Sequence, residues 1–181
     1  MTKSNIHNAS TYSFSSNDQI LLDANIWLYL FSPPCNPQGR EARQYGHVFK
    51  KMQAAKAIIV TDQFLISEYL NRYVRIEFGA VKAQYNNSYK LFRKSSSFPL
   101  VATAASSFAK KIISLSVHHG NIIDLAMITN AVNDFQKAKI DFNDSFFVQL
   151  CQRNHYKLLT NDVDFYNSPI EIITCHPKML R

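Results

Sequence analysis

The sequence predicts a three-layer α/β/α sandwich with a central five-stranded parallel sheet, and three observations favour this fold class. Five short β-like segments alternate with helical patterns along the chain, which is typical of βαβ units. The 181 residues favour one domain with a sizeable core. The composition, 46% hydrophobic and 18% charged, is that of a globular protein, and no apolar stretch approaches the roughly 20 residues of a membrane span.

The elements follow from short apolar runs separated by turn residues. The predicted strands are 19–23, 57–61, 112–117, 156–160 and 171–175. The predicted helices are 40–55, 63–78, 81–92, 103–111, 121–137 and 143–154. "NPQG" at 36–39 indicates a turn, and "KSSSFP" at 94–99 indicates a break between helices.

The first 18 residues differ in composition from the rest of the chain. They are polar and rich in Ser, Asn and Thr, and they lack the apolar core of a signal peptide. We therefore expect a flexible N-terminal arm over 1–18, a single domain over 19–181 and a cytoplasmic protein. The three cysteines are widely spaced without a metal-binding pattern, which indicates free thiols.

The charge balance favours an anionic partner. The net charge is +7 and the isoelectric point is near 9.3. Nucleic acid is the simplest partner for such a chain. Acids are few, with 13 Asp and Glu residues, and several of them fall at the ends of predicted elements rather than on solvated helix faces.

Acidic residues follow the predicted strands at the edge where ligands bind to open parallel sheets. Asp23 ends the first strand, and Asp162 and Asp164 follow the strand that contains "KLLT". Glu68 lies about two turns into the helix after the second strand, among apolar residues, and Asp144 lies in the first turn of the last helix. These acids are the candidates for one site.

Some of these acids have a simpler explanation and others do not. A helix cap is the favoured interpretation of Asp141, and Asp164 fits a turn residue as well as a ligand. Asp23, Glu68, Asp144 and Asp162 adjoin apolar runs, and carboxylates gathered there repel one another unless a cation neutralises them.

The donor atoms of this set indicate which cation it suits. Oxygen-only ligands suit Mg²⁺ or Mn²⁺ rather than Zn²⁺. A pair of such ions about 4 Å apart activates water for phosphodiester hydrolysis.

Four blocks of the chain resemble the PIN-domain family of metal-dependent ribonucleases, which includes the VapC-like toxins of toxin–antitoxin pairs. They are "ILLDANIWLYLF", "SEYLNRY", "DFNDSFFVQLC" and "LLTNDVDF", and the resemblance runs from about residue 19 to residue 175. It implies hydrolysis of RNA by a Mg²⁺- or Mn²⁺-dependent endoribonuclease. It also implies RNA as substrate, a cognate antitoxin as partner and a homodimer.

The resemblance also implies residue roles. The catalytic and metal-binding acids would be those at the four matching positions, and a fifth acid, Asp164, would bind metal through water or support the site. Asn25 and Thr160 match polar residues that orient the acids. The matching acids are Asp23, Glu68, Asp144 and Asp162.

Basic residues follow Glu68 along its helix. Arg72 and Arg75 lie at i+4 and i+7, so they either pair with Glu68 or line a track for RNA phosphates. The basic segment 82–97 carries interleaved Tyr and Phe residues. It either continues that track and stacks bases or is a solvated helix whose aromatic face packs in the core.

Three alternative functions fit parts of the pattern. A PIN-like nucleic-acid-binding module without activity would have lost two or more of the four acids, whereas all four are present. A haloacid-dehalogenase-type phosphatase would have two Asp residues at the first strand, whereas this chain has Asp23 and then Asn25. A flap nuclease usually has more acids and extra helices.

Overall fold

The computed structural model describes residues 5–35, 39–118, 120 and 123–181. Its strands form one sheet in which every pair of neighbours is parallel, in the order β1-β5-β4-β2-β3. This confirms the predicted five-stranded parallel sheet. The strands are β1 (Ile6–Asn8), β2 (Gln19–Leu22), β3 (Ile58–Val60), β4 (Lys157–Leu159) and β5 (Ile172–Thr174).

Helices flank the sheet and complete the predicted three-layer α/β/α sandwich. Short 3₁₀ turns follow two of the elements, at Lys82–Tyr85 and Val163–Asn167. None of the described helices is both long enough and apolar enough to cross a membrane. The described helices are α1 (Ala24–Leu30), α2 (Arg40–Ala54), α3 (Gln63–Val81), α4 (Tyr89–Arg93), α5 (Phe98–Leu115), α6 (Leu125–Gln136) and α7 (Phe142–Asn154).

The prediction of a flexible arm over 1–18 is wrong for the residues that form β1. Ile6 is buried and pairs with Ile172 of β5, and the Asn5 side-chain amide donates to two backbone carbonyls just before that strand. A three-residue strand in a polar segment leaves no periodicity to detect, because its partner lies at the far end of the chain. The ordered domain therefore begins before residue 19.

The prediction of a strand at 112–117 is also wrong, because this segment is mostly the last part of α5. Ala105, Ala109 and Ile112 are buried at a helical spacing, so the apolar run continues a helix face. Val117 alone forms an isolated bridge, to Val60 of β3. A short apolar run fits strand and helix equally well by pattern. The turn predicted at 36–39 lies almost entirely outside the described residues.

The position of β2 determines where a site can form. The chain passes from β2 to the edge strand β3 and later returns to β4 on the other side of β2. At such a switch point, the carboxyl ends of the strands open onto a crevice. Ile20, Leu21 and Leu22 are fully buried, so β2 is anchored in the core up to the residue before Asp23.

Candidate metal centre

Asp23 is the most constrained acid of the site. It lies directly after β2, caps α1 and is only 4% exposed. Its Oδ2 accepts hydrogen bonds from Thr160 Oγ1 and from Asn25 Nδ2, each at 2.6 Å. The carboxylate that interrupts an apolar run therefore has polar partners from two elements, as burial of a charge requires.

Thr160 and Asn25 connect the ends of β2 and β4. Thr160 Oγ1 accepts from the backbone N–H of Asp162 at 2.9 Å, and Asn25 Oδ1 accepts from the N–H of Asn161 at 3.3 Å. The two side chains thus contact Asp23 and the loop that carries Asp162. Both side chains lie beside Asp23, and their role of orienting the acids stays a prediction.

Asp162 and Asp164 lie in the turn after β4. Asp162 begins the 3₁₀ turn, and its Oδ1 accepts from the N–H of Asp164 at 3.0 Å. Asp162 is half-buried and Asp164 is exposed. This hydrogen bond fixes the position of one oxygen of Asp162 within the turn.

Glu68 reaches the site from α3. One of its oxygens accepts from Arg72 Nη1 at 3.3 Å. The other oxygen, Oε2, is buried and has no hydrogen-bond partner among the described residues. A buried carboxylate oxygen without a hydrogen bond costs free energy. We therefore expect this atom to bind a ligand that the described residues do not provide.

Asp144 and Asp141 come from the start of α7. Asp144 lies in the first turn, as predicted. The prediction that Asp141 caps this helix is confirmed for its position, since Asp141 is the N-cap residue of α7, although its side chain forms no capping hydrogen bond. Asp141 is exposed and faces the same cavity as Asp144.

All the predicted acids meet in one open cavity of about 400 Å³. We call it the acidic cavity. Phe135, at the end of α6, forms part of its wall. Its charged lining residues are Asp23, Glu68, Arg72, Asp141, Asp144, Asp162 and Asp164.

Crowding of the acids changes how they titrate. Burial, followed by repulsion from Asp23 and Glu68, raises the pKa of Asp144 to about 7. Burial also raises the pKa of Asp23 to about 6, and Glu68 adds to this, although the Thr160 hydrogen bond and Arg72 act in the opposite direction. Burial and repulsion therefore disfavour the charged form of both carboxyls.

The donor set fits a hard divalent cation. It consists of carboxylate oxygens, includes the unpartnered Glu68 Oε2, and carries unneutralised charge. Within the described ranges, no three Asp, Glu, His or Cys side chains are already arranged around a common point as metal ligands. The acids thus line one cavity, and side-chain movement is needed to bring them around an ion.

Tyr45 is a supporting residue that sequence reasoning missed. It lies on α2, is fully buried, and places its hydroxyl 3.1 Å from Thr160 O and 2.9 Å from Asn161 Oδ1. The same oxygen accepts from the N–H of Cys175 at 2.9 Å. The hydroxyl thus contacts the ends of both β4 and β5. The sequence signals only that position 45 is on the buried face of a helix.

Arg72 and Arg75, predicted to share a role, occupy different surroundings. Arg72 lines the acidic cavity and pairs with Glu68. Arg75 does not line it and instead stacks over the ring of Tyr89, with its Cζ 3.8 Å from the ring centroid. The two arginines lie one helical turn apart, yet one belongs to the cavity and the other to the surface beyond it.

Comparison with known proteins gives little. No protein-family model matches the chain. No curated protein matches it either. Among solved structures, the chain is similar to that titled "Crystal Structure of PAE2754 from Pyrobaculum aerophilum", with 15% sequence identity and a TM-score of 0.49 over 91% of this chain and 94% of the other. This similarity says nothing about activity.

Proposed function

We propose that this protein is a metal-dependent endoribonuclease of the PIN-domain type, which hydrolyses RNA phosphodiester bonds with Mg²⁺ or Mn²⁺. The observation that carries the proposal is the acidic cavity at the switch point of the sheet. There, burial and mutual repulsion raise the pKa of Asp144, and Glu68 keeps a buried oxygen without a partner. A divalent cation is the simplest ligand that would both offset the repulsion at Asp144 and coordinate the free oxygen of Glu68.

The acids that would hold the cation come from four elements of the fold. Asp164 would act through water or support Asp162, to which its backbone N–H donates. When bound, the cation would supply activation of a water and stabilisation of the charge that develops on the phosphodiester. The direct ligands would be Asp23, Glu68, Asp144 and Asp162.

The remaining residues would orient the acids and the substrate. Thr160 and Asn25 hold one oxygen of Asp23, which leaves its second oxygen free of a short hydrogen bond. Arg72 is about half exposed at the rim and could bind a phosphate while it pairs with Glu68. The proposal of RNA as the substrate draws on this arginine and on the net charge of +7.

The proposal extends to the toxin of a toxin–antitoxin pair, on the strength of the four sequence blocks alone. A cognate antitoxin would inhibit by covering or entering the acidic cavity, and a homodimer is the expected assembly. A small open reading frame beside the gene would support this extension, and co-purification of its product with loss of cleavage would test it. Light scattering of the purified protein would test the homodimer.

The decisive experiment is cleavage of RNA by the purified protein. Fragments of tRNA, rRNA and mRNA are incubated with Mn²⁺, with Mg²⁺ or with EDTA, and the new ends are mapped. We expect cleavage that EDTA stops and Mn²⁺ restores. Asp23→Asn should abolish it with the fold retained, whereas Glu171→Gln, at an exposed acid at the opposite end of the sheet, should not.

Three results would overturn the proposal. Cleavage that persists in EDTA or in Asp23→Asn would mean a contaminant or different chemistry. RNA binding without cleavage under any metal would indicate the PIN-like binding module instead. Release of phosphate from a phosphomonoester, without cleavage of RNA, would indicate the phosphatase.

A further inference from the structure

The positive charge of the chain is concentrated in one region. No Asp or Glu occurs between Glu77 and Asp124, a stretch that contains six Lys and Arg residues. Five cations lie close together in residues 75–98, which comprise the end of α3, the first 3₁₀ turn, α4 and the start of α5. We call residues 75–98 the basic lobe. Its cations are Arg75, Lys82, Lys90, Arg93 and Lys94.

The lobe contains a small aromatic core centred on Phe92. Phe92 is buried, and its ring lies 5.3 Å from Tyr85 and 5.6 Å from both Phe78 and Phe98, measured between centroids. Tyr89 packs edge-on against Phe78 at 5.4 Å. These rings are therefore used to hold the lobe together. They do not form an open platform for stacking bases, which was one of the two sequence interpretations.

The cations of the lobe are on the outside of this core. All five are exposed, and none forms an ion pair with an acid anywhere in the described ranges. Arg75 and Arg93 are fixed by stacking over Tyr89 and Phe98, which orients their guanidinium groups. Fixed guanidinium groups without carboxylate partners suit phosphate oxygens.

The lobe is linked to the acidic cavity by a single helix. Glu68 and Arg72 of α3 line the cavity, and Arg75 begins the lobe one turn further on. From Glu68 to Val81, at the end of α3, the helix rises about 20 Å at 1.5 Å per residue. A polyanion that enters the cavity is thus within reach of the lobe over a span of several nucleotides.

We propose that the basic lobe binds the phosphate backbone of RNA, independently of base sequence, several nucleotides away from the bond in the acidic cavity. That the bound strand is also the substrate rests on the proposed function. Binding through charges predicts a steep salt dependence, since each neutralised phosphate of a single strand contributes about 0.7 to the slope of log K against log salt. It also predicts that long RNA binds more tightly than RNA too short to reach the lobe.

The test is RNA binding by the full chain in EDTA, which needs no cleavage. Fluorescence anisotropy follows a single-stranded RNA of about 30 nucleotides and one of about 5 nucleotides over a range of salt. We expect the triple variant Lys82→Gln, Lys90→Gln and Lys94→Gln to bind the long RNA about 10- to 100-fold more weakly near 0.1 M salt, with a slope lower by about 2.

The matched control removes the same charge elsewhere. Lys50, Lys56 and Lys178 are exposed, form no ion pair in the described residues and lie outside the lobe. Their triple change to Gln should alter the affinity by no more than about 2-fold. Equal losses in both variants would overturn the proposal, because the effect would then be one of net charge.

Further outcomes test RNA binding by the lobe separately from the nuclease activity. Equal affinity of the wild-type protein for the long and the short RNA would overturn the proposal, as would an absence of RNA binding with capture of an acidic protein instead. Binding that meets every expectation above, in a protein that never cleaves, would support the lobe and contradict the nuclease.

Discussion

The acidic cavity and the basic lobe lie along the same helix, α3, and carry opposite charges that are built in different ways. The cavity gathers acids from four elements, buries some of them and raises the pKa of Asp23 and Asp144. The lobe exposes its cations around a small aromatic core. Charge in the cavity is held at an energetic cost, which the proposed cation would offset, whereas charge in the lobe costs little.

The largest expected effect comes from Glu68, which connects the cavity to α3. Glu68→Gln should reduce metal-dependent cleavage by at least about 100-fold and weaken Mn²⁺ binding, because its buried oxygen is the one without a partner. Single-turnover cleavage and calorimetric titration with Mn²⁺ measure the two effects. Glu171→Gln, at an exposed acid at the opposite end of the sheet, is the control, and equal losses in the two variants would remove Glu68 from the site.

The next effect tests how the cavity is held in shape. Tyr45→Phe removes the hydroxyl that contacts Thr160, Asn161 and Cys175, and leaving those buried groups unsatisfied should cost about 1–3 kcal/mol of unfolding free energy. Because Tyr45 acts through the loop that carries Asp162, kcat should fall about 10-fold with KM little changed.

A matched tyrosine makes this test specific. The hydroxyl of Tyr73 is buried and has no hydrogen-bond partner in the part of the chain that the structure describes, so Tyr73→Phe should be neutral or stabilising in thermal melts. A loss of stability in Tyr45→Phe without any change in kcat would assign Tyr45 a structural role alone.

A smaller effect concerns stability and pH. Since the pKa of Asp144 is about 7 in the fold and about 3.8 in the unfolded chain, the native state binds the extra proton between these pH values. The free energy of unfolding should therefore fall as pH rises from about 4 to about 7. Asp144→Asn should abolish the part of this decrease in unfolding free energy that comes from the titration of Asp144.

The size of that effect follows from the partial burial of Asp144. At pH 8 in EDTA we expect Asp144→Asn to stabilise the fold by about 1–2 kcal/mol, after allowance for solvent screening, which is roughly 2–8 °C in Tm. Mn²⁺ should stabilise the wild type more than the variant. Exposed Asp141 provides the control, and an equal gain from Asp141→Asn would contradict the crowding of Asp144 in particular.

The cavity could be predicted from sequence where its residues follow local rules. Asp23 comes directly after β2 and Asp162 comes three residues after the end of β4, and parallel strands bring such residues to one edge of the sheet. Tyr45 could not be found, because it contacts Thr160 across 115 positions and no local pattern encodes that contact. The pairing of β1 with β5 was hidden for the same reason.

The lobe was predictable in charge but not in architecture. The absence of acids between Glu77 and Asp124 is visible in the sequence, whereas the use of the rings is not. Whether an aromatic residue faces solvent or a local core depends on how the short helix α4 packs against the ends of α3 and α5. The burial of Phe92 and its four ring contacts decide between the two interpretations.

The smallest expected effects come from Arg72 and Arg75, which lie where the acidic cavity and the basic lobe adjoin. Arg72→Ala and Arg75→Ala should each weaken RNA binding a few-fold and lower the salt slope by about 0.7, because each removes one phosphate contact. Arg72 alone also lowers the pKa of Asp23, so its loss should move the acid limb of the pH–rate profile to higher pH. Arg75, which stacks on Tyr89, should leave that limb in place. If both variants shifted the limb equally, the division between cavity and lobe would not fall between these two residues.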